Sequence, residues 1–143
     1  MRRLHVLSLA VLLLRGAAAS SSPVMSVDST TFSTAVQAPG AIVSHVFSVT
    51  NTGNQALKIT GILTSCTCTT VTPQRAELAP GRSAGISVYV DTSGFAGITE
   101  RTVTLRSNDP VHPEVMLFIS VTVAAAAPAK LPSINAADFG FQE

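Results

Sequence analysis

Short runs of alternating apolar and polar residues recur along the chain. From Ser44 to Thr50 the alternation puts His45, Phe47 and Val49 on one side of an extended strand, with Ser44, Ser48 and Thr50 on the other. Four further runs behave alike. Ala56–Leu63 sets Leu57 and Ile59 against Lys58 and Thr60, and Ala84–Thr92 sets Ile86, Val88 and Val90 against Ser87 and Tyr89. Thr99–Arg106 sets Val103 and Leu105 against Thr102, Thr104 and Arg106. Glu114–Val123 sets Leu117, Ile119, Val121 and Val123 against Ser120 and Thr122. Turn chemistry separates the runs: Asn51-Thr52-Gly53-Asn54, Ala79-Pro80-Gly81-Arg82, Ser93-Gly94 with Gly97, and Asn108-Asp109-Pro110 with Pro113. Short strands spaced by such turns predict an all-β, immunoglobulin-like antiparallel β-sandwich of about seven strands.

Composition agrees. Val and Thr each occur 16 times, a bias toward pleated strands. With 143 residues there is room for one domain, and 46% hydrophobic with 12% charged residues argues against a disordered chain. The chain has no Trp, so an antibody-type Cys-Trp-Cys core is excluded.

Two segments fall outside the strand pattern. Met1-Arg2-Arg3, the apolar run Leu4–Leu14 and the small residues Gly16–Ala19 have the order of a secretory signal, and residues 1–19 are assigned to it. The run is too short for a bilayer, which needs about 20 residues. The exported chain would start near Ser20. It would lose three of its nine basic residues, leaving six against eight acidic ones, so the formal charge moves from +1 to −2. Neither value supplies a field for nucleic acid or an anionic membrane. Residues 125–143 read as an Ala/Pro linker and tail, with an apolar segment from Leu131 to Phe141.

Several motifs stand in order within residues 24–124: Val43–Asn54 followed by Leu57-Lys58-Ile59, then Thr64-Ser65-Cys66-Thr67-Cys68-Thr69, Leu78-Ala79-Pro80-Gly81, Asp91-Thr92-Ser93-Gly94 and Ser107-Asn108-Asp109-Pro110. Together they resemble the bacterial domain of unknown function 1573, a relative of the abnormal-spindle/Hydin (ASH) and major-sperm-protein domains. The resemblance implies a PapD-like sandwich, usually exported, with no established activity. Thr67 departs from the Gly common between the two cysteines. Thr31-Phe32-Ser33 departs from the usual Asp-Phe-Gly opening, which Asp138-Phe139-Gly140 in the tail matches better, as the truncated start of a second repeat would.

The chemistry in reach is narrow. If Cys66-Thr67-Cys68 is extended, its thiols share a face with Cα atoms about 6.5–7 Å apart, near the upper limit for a disulfide. The pair then reads either as packed or bonded structure, or as a soft-metal or thiol-exchange site. Cys66 and Cys68 could hold Cu(I), with His45 as a third ligand and Met25, Met116 or His112 as other donors. Read structurally, His45 packs beside Phe47. Asp28, Asp91 and Asp109 stand in turns, where carboxylates accept backbone N–H groups. No nucleophile elbow, paired catalytic carboxylates or phosphate loop is present, so an enzyme is not expected. The expectation is an exported binding or structural module that meets another envelope or secreted protein, or a copy of itself, through a sheet edge or the tail.

Overall fold

The computed structural model describes residues 21–127; the signal assignment and the tail from residue 128 lie outside them. Among the described residues nine strands are formed: β1 (Met25–Val27), β2 (Thr31–Ser33), β3 (Ile42–Asn51), β4 (Leu57–Thr64), β5 (Thr69–Pro73), β6 (Glu77–Leu78), β7 (Ser83–Asp91), β8 (Gly97–Ser107) and β9 (Glu114–Val123). The count exceeds seven because β1, β2 and β6 are too short to display an alternation. Sheets of order β1-β3-β7-β5 and β2-β9-β8-β4-β6 face each other.

The core follows from the alternation. Phe47 and Val49 of β3 and Ile86, Val88 and Val90 of β7 point inward from one sheet. They meet Val103 and Leu105 of β8 and Leu117, Ile119 and Val121 of β9, and all ten are essentially inaccessible. At about 25 cal/mol per Å² of apolar surface buried, this layer is the main stabilising contribution.

Two departures from the sequence pattern have local causes. Along β4, Leu57 and Ile59 face the core as expected. A bulge between Ile59 and Gly61 then shifts the register against β8. The extra residue, Thr60, reverses the phase, so Ile62 packs on the core and Leu63 faces solvent at 49% exposure. The sandwich is also not wholly antiparallel, because β2 runs parallel to β9, Thr31 opposite Phe118. The chain leaves β1 in one sheet and joins the edge of the other, and Gln37 extends that edge by exchanging bonds with Thr122 and Ala124.

The turn residues do what their types allow. Pro80 and Gly81 are the central pair of a turn closed by Arg82 N–H to Ala79 O at 3.0 Å, with Gly81 at φ +72°. Gly53 is required for a different reason: a Cβ there would overlap the backbone of Ser22–Val24.

Candidate functional site

Most motif residues prove to be staples. Asn51 is fully buried, and its side chain donates to Gln55 O at 2.7 Å and Leu78 O at 2.9 Å while accepting from Gly53 N–H at 3.0 Å. It ties the β3–β4 turn to β6. Asn108 accepts from Lys58 N–H at 2.7 Å and donates to Ala56 O at 3.1 Å, which fixes the start of β4. Asp109, 1% exposed, accepts from Met25 N–H at 2.8 Å on one oxygen and from Val111 and His112 N–H at 2.8 and 3.1 Å on the other. Burial works to raise its pKa. The three backbone donors, helped by the nearby His112, outweigh burial and hold the carboxyl below its ordinary value. Asp91 is likewise lowered by hydrogen bonds from Ser93, the backbone N–H foremost. Asp28 accepts from Ser29 and Ser48 N–H, both at 2.9 Å. The carboxylates thus occupy the turn roles expected of them.

The cysteines lie in a turn, not in an extended strand. Ser65–Cys68 carries the chain from β4 in one sheet to β5 in the other, anchored by Ser65 N–H to Thr102 O and by Asp91 N–H to Cys68 O, both 2.9 Å. The turn shortens the Cα separation to 5.2 Å, and Cys66 and Cys68 are joined as a disulfide. The extended geometry expected from the spacing is therefore corrected: Thr69 N–H bonds Cys66 O at 3.2 Å and curls the segment. Cys66 Sγ accepts Cys68 N–H at 3.0 Å, and Cys68 Sγ accepts the Arg101 Nε–H at 3.3 Å. Both cysteines are half-buried, beneath the exposed Ser65 and Thr67.

The remaining ligand candidates are dispersed. His45 stacks on Phe32, ring centroids 3.8 Å apart, and meets Phe47 edge-on at 4.6 Å. It is an aromatic packing residue that bridges β3 and the opposite sheet. Met25 is buried, while Met116 and His112 are exposed. Among the described residues no three His, Cys, Asp or Glu side chains form a metal-sized group. While the disulfide is closed, neither sulfur is a thiolate free to bind a soft cation.

Arg101 is the site residue the sequence reading passed over. Extending the Val103, Leu105 alternation back by two positions places it on the inner face of β8, and Phe95 lies under its guanidinium at 4.5 Å. That backward extension was the available signal.

Two sheets of this order, closed over one core and pinned by buried Asn and Asp at the turns, define an immunoglobulin-like sandwich of the PapD and ASH kind. Residues 25–123 match the family described as protein of unknown function (DUF1573), and the chain belongs to it. No curated protein matches the chain. Among solved structures it is similar to a protein of unknown function from Porphyromonas gingivalis W83, with 21% identity and TM-score 0.64 over 73% of this chain; it spans half of that one. It is also similar to the ASH/PapD-like domain 7 of human CEP192, with 10% identity and TM-score 0.62 over 86% of this chain and all of that domain. A third is the YadV chaperone, with 12% identity and TM-score 0.50 over 71% of this chain and 52% of that one. At these identities the likeness shows the fold.

Proposed function

We propose that this protein is an exported binding module that holds another envelope or secreted protein by adding an extended segment of that partner to the free edge of β5. The observation that carries the reading is the direction of the β5 backbone. Asp91 N–H bonds Cys68 O, and Gln74 N–H bonds Gly85 O, so the β7-bonded positions are residues 68, 70, 72 and 74. Thr69, Val71 and Pro73 therefore turn their backbone groups away from the sheet. The Thr69 N–H is used by Cys66 O. That leaves the Val71 N–H and three carbonyls facing outward. The other edges are blunted: β1 and β2 have three residues, β6 has two, and the Met25 N–H of β1 is held by Asp109.

A strand laid beside β5 would bond these groups and set an apolar side chain next to Val71, which already packs on the core. The fold is shared with a chaperone, which is consistent with a peptide-binding role. Export is supported by the order of charged, apolar and small residues in 1–19, and the intact mass of the exported protein is expected to correspond to a start at Ser20.

Val71→Pro removes the one outward N–H without breaking a β5–β7 bond. With a photo-crosslinker at the exposed Thr72, the native protein is expected to give a crosslink to a second protein, and Val71→Pro to lower its yield at least tenfold at a temperature where both forms are folded, as thermal unfolding of each would show. An equal yield from both forms overturns the edge. Crosslinking to the chain's own Leu131–Phe141 segment, or to a second copy, replaces the partner while keeping the edge.

A further inference from the structure

A guanidinium in an apolar register needs compensation, because a buried cation without partners is costly. On β8 the inward row runs Thr99, Arg101, Val103, Leu105, opposite Val121, Ile119, Leu117 and Val115 of β9. Val103 and Leu105 are fully buried, and Arg101, at the end of the row, is half-buried. Among the described residues no carboxylate pairs with it. Its partners are the Phe95 ring, the Glu100 carbonyl at 2.9 Å and Cys68 Sγ at 3.3 Å.

A disulfide sulfur is a weak acceptor, so this contact offers little while the bond is closed. It strengthens once Cys68 becomes a thiolate, since a hydrogen bond between two ions is about twice as strong as a neutral one. Cys66 Sγ has only the neutral N–H of Cys68. The two sulfurs are therefore unequal, and negative charge is better held on Cys68. The bond also closes a loop with a single intervening residue. Loops that short restrict the unfolded chain less than long ones do, which weakens the usual stabilising purpose of a disulfide.

We infer that Cys66, Cys68 and Arg101 form a thiol–disulfide exchange site whose substrates are thiols, dithiol pairs of other proteins in particular. An incoming thiolate attacks Cys66 Sγ. The new S–S bond forms as the Cys66–Cys68 bond breaks, and the electron pair leaves on Cys68 Sγ beside the guanidinium. The second thiolate of the substrate pair then attacks its own first sulfur, closing the substrate disulfide and expelling Cys66 as a thiolate, which takes up a proton. The substrate loses two electrons and two protons. The electrons reduce the Cys66–Cys68 bond; one proton ends on Cys66 and the other passes to solvent while Cys68 remains ionised.

Glutathione is the probe. The native protein and its variants are equilibrated with mixtures of reduced and oxidised glutathione, quenched in acid and mapped by mass spectrometry. Glutathione is expected on Cys66 in the trapped mixed disulfide. Arg101→Gln is expected to lower the ratio of reduced to oxidised protein roughly fivefold at low salt, the scale of a partly exposed ion pair. Arg101→Lys is expected to restore most of it, and 1 M salt to shrink the difference. Phe95→Leu keeps the charge beside Cys68 while removing the ring, and is expected to stay within twofold of the native protein. Glutathione on Cys68, equal ratios for native and Arg101→Gln, or a Phe95→Leu loss matching that of Arg101→Gln would overturn the assignment.

Discussion

Asp109 shows how one turn residue secures distant parts of the fold. Its two oxygens hold the first strand through Met25 N–H and the β8–β9 turn through Val111 and His112 N–H. Asp109→Asn puts an amide NH₂ where one set of donors needs an acceptor, and is expected to cost about 2 kcal/mol by urea unfolding. The carboxyl titrates below its ordinary value in the fold, so its stabilisation is complete above the unfolded value, about 3.9, and fades as pH falls through the lower folded value. The native protein is therefore expected to lose urea resistance between about pH 5 and pH 2, and Asp109→Asn to lose less over that range. A variant whose acid sensitivity equals that of the native protein would assign the loss to other carboxylates. Asn51 makes the same point without charge: its amide uses both donors and its oxygen, and no alternation pattern announces such a role.

Among the elements, β4 separates pattern from register. Its bulge puts Ile62 on the core and Leu63 in solvent, although both continue one apolar run. Ile62→Ala is expected to cost about 2 kcal/mol, less than a fully buried site because Ile62 is partly exposed, while Leu63→Ser stays within about 0.5 kcal/mol. Equal costs would place the bulge elsewhere. The five longer alternating runs were legible because their burial is one-sided; β3, β7, β8 and β9 follow their runs to within about two residues at either end. The short β1, β2 and β6 were not, since a strand of two or three residues has no period to read. Cys66 and Cys68 were legible as a pair but not in their geometry, which depends on the turn closed by Thr69 N–H. Arg101 was missed because its neighbours invite a division into apolar and polar faces in which a charged residue is assigned to the outer one.

At the scale of the whole molecule, the residues before β3 serve both sheets. β1 lies on β3, and β2 lies on β9 at the far side of the sandwich. Removing residues 21–34 strips both edges at once. The shortened chain is expected to lose its single cooperative thermal transition, or to self-associate at micromolar concentration through the bared β3 and β9 edges, as sedimentation velocity would show. A monomer that melts as sharply as the native protein would show these strands to be dispensable.

The parallel pairing of Thr31–Ser33 with Phe118–Ser120 also sets an order in time. Its two halves stand almost at opposite ends of the domain, so a chain delivered from its N-terminus holds β2 without a seat until β9 arrives. The pairs β3–β7, β4–β6, β5–β7 and β4–β8 can form as their strands emerge, but closure waits for the last strand. Until then Phe32 and the face of His45 it covers are available to whatever helper or competitor the chain meets on its way.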